Sequence, residues 1–233
     1  PKPVCEWTDY FENMNAWEKS RYYTYAFEAL PPECILAPVS GLVAFPRYYT
    51  IHEAWHTGSV YKHCKAKEGY IEVDLAVGGR YYDYYEEKWK CIPCWGCCNY
   101  MPCIFLYIHI IFWENDNGFA TWELHISDGD LNDDGVGVYD SNKNSVVSTP
   151  SYGYFGSIDI DDIVTAYLYT TDAGDRYYIT YGTKKPVTYE RTVEFLKKDI
   201  PFDVTGQWGI AMHTHTIYSN EQYCWCVFDR AYL

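Results

Sequence analysis

Cys103-Ile104-Phe105-Leu106-Tyr107-Ile108-His109-Ile110-Ile111-Phe112-Trp113, the turn Asn115-Asp116-Asn117-Gly118 and the return Ala120-Thr121-Trp122-Glu123-Leu124-His125-Ile126-Ser127 decide the fold class. The first run is apolar on both parities, which reads as a strand buried on both faces. Asn-Gly supplies the positive φ of a tight hairpin, so the third run folds back antiparallel to the first. The apolar run is about half the ~20 residues needed to cross a bilayer, and His109 interrupts it.

Strand signals continue outward from this hairpin. Ile71-Glu72-Val73-Asp74-Leu75-Ala76-Val77 alternates apolar and polar, with Gly78-Gly79 read as its closing turn and Tyr81 to Lys90 as the run back. Arg21 to Glu28 is an aromatic-rich strand that stops at Pro31-Pro32. Further strands are expected at 136–140, 145–149, 157–160, 162–171 and 176–181, the last two joined by Asp172-Ala173-Gly174-Asp175, and Gly209 to Leu233 reads as a final strand pair. Two helices are expected. Trp7, Phe11, Met14 and Trp17 recur near three or four apart, and Thr188 caps a stripe of Tyr189, Val193 and Leu196 that ends at Lys197-Lys198. The expectation is an all-β fold in one domain, 1–233, with a Cys-rich loop at 91–103: an up-and-down barrel, since closure removes exposed strand edges.

The chain has 233 residues and a formal net charge of −14, which excludes a nucleic-acid reader and disfavours an anionic membrane surface. Its 26 Tyr, 9 Trp and 10 Phe mark a packed protein. Ten cysteines point to disulfides in an oxidising compartment, and the opening Pro1-Lys2-Pro3-Val4, without Met or apolar leader, fits a mature secreted product. No Asn-x-Ser/Thr sequon is present.

Asp162-Ile163-Val164-Thr165-Ala166-Tyr167-Leu168-Tyr169, then Tyr177-Tyr178-Ile179-Thr180-Tyr181, then Pro186 and the expected helix resemble the end of a lipocalin. Asn15-Ala16-Trp17-Glu18-Lys19-Ser20 before Tyr22-Tyr23-Thr24-Tyr25, flanked by Cys5 and Cys34, is similar to the start of the outlying lipocalins of tick saliva. Asn15 stands where that family typically has Gly, and its strand-ending Arg has no counterpart near Gly182 or Lys184. The resemblance implies a small-molecule carrier with a ligand inside a barrel.

Several constellations carry chemistry. His52-Glu53-Ala54-Trp55-His56 matches H-E-x-x-H, which needs a helix to put both imidazoles on one zinc, but its neighbours favour strands. Asp130-Leu131-Asn132-Asp133-Asp134-Gly135 fits the start of a calcium loop without the bidentate Glu, and reads otherwise as a solvated acidic loop. Cys91, Cys94, Cys97, Cys98 and Cys103 read as disulfide partners rather than a zinc cluster. His213 and His215 share a strand face but show no third ligand. The tyrosines are the largest signal. Spaced at i, i+2, they would line a cavity with rigid apolar walls and hydroxyls, so Tyr23, Tyr25, Tyr81, Tyr167 and Tyr169, with Trp122 and inward Asp74 and Glu123, are the expected ligand-binding residues.

The function expected from these readings is sequestration of a hydrophobic or amine ligand outside the cell, with an extracellular protein partner left open. No cofactor, metal or catalytic residue is assigned. The alternatives are a secreted enzyme, either a zinc hydrolase at His52, Glu53 and His56 or a barrel enzyme acting on a bound lipophile, and a Tyr-rich extracellular structural protein.

Overall fold

A computed structural model describes residues 6–28, 34–39, 55–95, 105–214 and 222–232, with backbone alone at 55, 56, 214 and 222–232. The described strands are β1 (Thr8–Asp9), β2 (Trp17–Lys19), β3 (Trp55–Tyr61), β4 (Gly69–Asp83), β5 (Lys88–Cys91), β6 (Phe105–Glu114), β7 (Gly118–Ser127), β8 (Asp130–Asp140), β9 (Ser145–Ser148), β10 (Gly153–Ser157), β11 (Val164–Ala173), β12 (Arg176–Lys185), β13 (Tyr189–Leu196), β14 (Gln207–Thr214) and β15 (Gln222–Tyr232). A seven-stranded sheet runs β1-β15-β4-β11-β12-β13 with β5 added beside β4, and an eight-stranded sheet runs β10-β8-β7-β6-β14-β3-β2 with β9 beside β8.

Every pairing between named strands is antiparallel, and none joins the two sheets among the described residues. The fold is therefore a two-layer β-sandwich rather than the expected lipocalin-like barrel. Edges are removed in a barrel by closure; here, among the described residues, β1 and β13 end one sheet and β10 and β2 the other. The space that a barrel would leave for ligand is filled. Ile71, Val73 and Leu75 of β4 and Leu106, Ile108 and Ile110 of β6 share one buried cluster with Trp113, Trp122 and Trp208.

Both expected helices are absent from the described residues. Of the expected stripe, Tyr189 and Val193 lie with Arg191 and Phe195 on alternate positions while Leu196 falls on the other parity, and β-branched Thr192 and Val193 suit a pleated strand. An i, i+4 repeat fits either period, and pairing with β12 from Thr183↔Tyr189 to Arg176↔Leu196 decides it. Only a single 3-10 turn, Lys197–Asp199, follows. At the other end Trp7, Phe11, Met14 and Trp17 do pack on the core, yet from short strands and turns, with Phe11 at φ 53°.

Gly78-Gly79 is not a turn, because β4 continues to Asp83. Gly78 instead allows a close crossing: a Cβ there would stand 2.2 Å from the carbonyl oxygen of Cys34. The same crossing carries the disulfide Cys34–Cys91, which joins the 34–39 segment to β5. Cys64 and Cys94 are also disulfide-bonded. Hairpins form at both expected places, with Gly174 at φ 64°, but at the first neither Asn117 nor Gly118 takes the expected positive φ and Gly118 opens β7; β14 and β15 of the expected terminal pair lie in different sheets.

The expected acidic loop at 128–142 is mostly strand β8. Asp133 is fully buried in it and ties the two layers together: Oδ1 accepts from the Trp122 indole at 3.1 Å and the Gly135 N–H at 2.8 Å, while Oδ2 accepts from the hydroxyls of Tyr181 at 3.1 Å and Tyr189 at 2.7 Å. Tyr181 and Tyr189 belong to β12 and β13 of the opposite sheet. A carboxylate occupied by four internal donors is a structural hub and is not free to wrap a calcium ion.

Candidate functional site

Alternation along the central hairpin separates two faces. Leu106, Ile108, Ile110 and Phe112 of β6 and Ala120, Trp122, Leu124 and Ile126 of β7 enter the sandwich core. Tyr107, His109, Ile111, Thr121, Glu123 and His125 therefore point to the other side of the eight-stranded sheet. Hairpin register sets His109 opposite Glu123 and Tyr107 opposite His125, and β14 brings His213 opposite Tyr107.

One half of this face is apolar. Tyr22, Tyr23, Val60, Ile111, Phe119 and Ala211 form a second buried cluster, with Tyr139 packed against it. The 20–28 segment lies on it, anchored by Glu114, whose carboxylate accepts from the Ser20 hydroxyl and from the Arg21 N–H at 2.7 Å. Tyr22 stacks on Phe119 at 4.6 Å, and the Tyr23 ring sits on Gly58, where a Cβ would stand 2.7 Å from its Cγ.

The other half is polar. The Tyr107 ring is stacked between His125 and His213, with centroids 4.4 Å away on each side and interplanar angles of 16° and 12°. Beside this row, His109 Nε2 lies 2.8 Å from His213 Nδ1 and 3.6 Å from Glu123 Oε2. Thr121 Oγ1 meets the other imidazole nitrogen, Nδ1, at 3.3 Å. Asp134 Oδ2 is 3.8 Å from His125 Nδ1.

Burial pushes the Glu123 carboxyl up to about 7, with the Asp134 charge adding to the effect. Burial lowers His125, against the pull of Asp134. Glu123 and Asp134 nevertheless keep 30% and 24% of their side-chain surface exposed, so this half of the face is reachable. Among the described residues His109, Glu123 and His213 are the group of ligand-type side chains close enough to hold a metal ion, with one donor atom each inside a 4.8 Å span.

The sequence-expected ligand residues do not share one cavity. Tyr23 and Glu123 lie on the face just described. Tyr167, Tyr169 and Asp74 lie on the outer face of the seven-stranded sheet. There Tyr70 stacks with Tyr167 and Tyr169, Lys184 bonds Tyr70 and Glu72, Tyr167 donates to Glu190, and Thr165 donates to Asp74 at 2.6 Å. Trp122 is in the core, Tyr81 packs against it, and Tyr25 is exposed beside its bridge to Thr57. A Tyr-lined barrel cavity for a hydrophobic or amine ligand is thus overturned by the filled sandwich core and by residues split between opposite outer faces.

His52 and Glu53 of the H-E-x-x-H match, His215, Cys5, Cys97, Cys98 and Cys103 lie outside the described residues. His56 falls in β3, whose extended backbone is not the helix that motif requires; its register partner is His213. Asp134 enters the sequence reading only within the calcium-type loop, and Tyr107, His109 and His125 not at all as site residues. Their signal was present: a hairpin folded at Asp116 pairs 107 with 125 and 109 with 123, which places the polar residues of an apolar run on one side.

No protein-family model and no curated protein matches the sequence. Among solved structures the chain is similar to the CBM2 module of Lactobacillus casei BL23 phage J-1 evolved Dit, with a TM-score of 0.49 at 8% identity, covering 97% of this chain and 93% of that one. It is also similar to lectin II from Ulex europaeus, with a TM-score of 0.47 at 6% identity over 97% and 96%, and to peanut lectin, 0.43 at 8% over 97% and 95%. At this distance no residue role passes from them to this chain.

Proposed function

We propose that the chain is an extracellular recognition module that binds a neutral or amino sugar on the polar face of its eight-stranded sheet. The observation that carries this reading is the stacked row His125–Tyr107–His213 flanked by the part-exposed carboxylates Glu123 and Asp134. A sugar presents adjacent hydroxyls that both donate and accept, above a ring with apolar C–H edges. Carboxylates accept from such donors, imidazole and phenol do both, and the edges of a ring stack supply apolar contact. Mutual stacking holds these rings before ligand arrives, which reduces the ordering cost of binding. Two carboxylates in a chain of net charge −14 disfavour acidic sugars. The disulfide Cys34–Cys91 supports an oxidising compartment.

The test is a glycan panel of neutral, amino and acidic oligosaccharides, followed by calorimetry on any hit. The expected result is saturable binding to a neutral or amino sugar, weakened at least tenfold by Glu123→Gln and by Tyr107→Ala. Absence of binding across the panel, or binding unchanged in both folded variants, overturns the proposal.

A further inference from the structure

The geometry points to a divalent transition-metal site of the zinc class formed by His109, Glu123 and His213 at the floor of the same face. The three residues come from adjacent strands β6, β7 and β14, so the backbone ladder sets their spacing. Their donors are two imidazole nitrogens and one carboxylate oxygen, the set that borderline ions prefer over magnesium or calcium. Both imidazoles are buried, with the Glu123 carboxylate on the part-exposed side of the group.

Orientation supports the assignment. A proton on His109 Nδ1, shared with Thr121 at 3.3 Å, leaves the Nε2 lone pair directed to Glu123 and His213. A partner on the second ring nitrogen is the usual way a ligating histidine is aimed. Donor atoms at zinc–ligand distances in a tetrahedron stand about 3.4 Å apart. The ring nitrogens at 2.8 Å must therefore part by roughly half an ångström and exchange their direct hydrogen bond for coordination. The three ligands among the described residues leave one position of a four-coordinate ion for a further donor.

The site does not depend on the sugar reading, and its test uses no sugar. Metal-stripped full chain is titrated with Zn2+ against a chromogenic chelator, and with Co2+ followed by its visible spectrum. The expected result is one equivalent of zinc at submicromolar affinity and a four-coordinate cobalt spectrum. His213→Ala and Glu123→Gln should each weaken zinc at least tenfold, whereas His63→Ala, on an exposed loop, leaves it unchanged. Circular dichroism confirms that the variants fold, and Glu123→Gln, nearly isosteric, serves if His213→Ala does not. No stoichiometric zinc in the parent chain, or undiminished zinc in folded Glu123→Gln, overturns the site whatever the glycan panel shows.

Discussion

The Tyr107 phenol lies parallel to the His213 imidazole, centroids 4.4 Å apart and planes 12° from each other, with a second imidazole, His125, on its opposite side. Each stacked aromatic contact is worth about 0.5–1.5 kcal/mol beyond the area it buries. Tyr107→Ala should cost about 1–3 kcal/mol in urea unfolding, whereas Tyr107→Phe, which keeps the stack, should cost well under half as much. Equal losses in the two variants would mean that the hydroxyl rather than the ring holds the row.

Asp133 joins the layers through four donors, two of them tyrosine hydroxyls from the opposite sheet. Removing the carboxylate leaves buried donors unsatisfied, so Asp133→Ala should lose about 3–5 kcal/mol or fail to fold. Asp133→Asn keeps one acceptor oxygen and should be milder. The unfolding midpoints of the two variants, compared with the parent, decide this.

Glu114 is buried and its carboxyl is raised above the ordinary 4.5 by that burial, against the Ser20 and Arg21 hydrogen bonds. Above pH 4.5 and up to its folded-state value, the folded chain therefore holds more protons at this site than the unfolded chain, and stability falls as pH rises through that window. Glu114→Gln retains an acceptor oxygen without the ionisation. Its stability should decline less than the parent's between pH 4.5 and neutrality. A parallel decline in urea midpoints would show that other groups govern the slope.

A Cβ at Gly58 would stand 2.7 Å from the Tyr23 ring and 3.0 Å from the Ala211 methyl. Gly58→Ala should push the 20–28 segment off the sheet at a cost of about 1–3 kcal/mol. Hydrogen exchange of that segment should accelerate while β6 and β7 remain protected. Unchanged exchange would mean that the ring shifts without releasing the backbone.

The central hairpin was readable because two local signals agreed: an apolar run on both parities and a turn-forming Asn-Asp-Asn at 115–117, where Asn115 Oδ1 accepts from the Asn117 N–H at 2.8 Å. The terminal helix was misread because Tyr189 and Val193, four apart, satisfy either a helical or a pleated period, and the choice was made by a partner strand, β12, rather than by the segment itself. Gly78-Gly79 looked like a turn because local conformational freedom and tolerance of a crossing backbone require the same residue. Asp130–Gly135 looked like a metal loop because the sequence does not show that Asp133 faces the core.

By itself the sequence determined the all-β class and the pairing of cysteines into disulfides, since these depend on composition and short-range pattern. Only the tertiary structure decided between a closed barrel and two packed layers, because that choice turns on which distant strands pair. It also decided the site. Local pairing places His109 beside Glu123, but His213 is 104 residues away and reaches them only because β14 inserts next to β6.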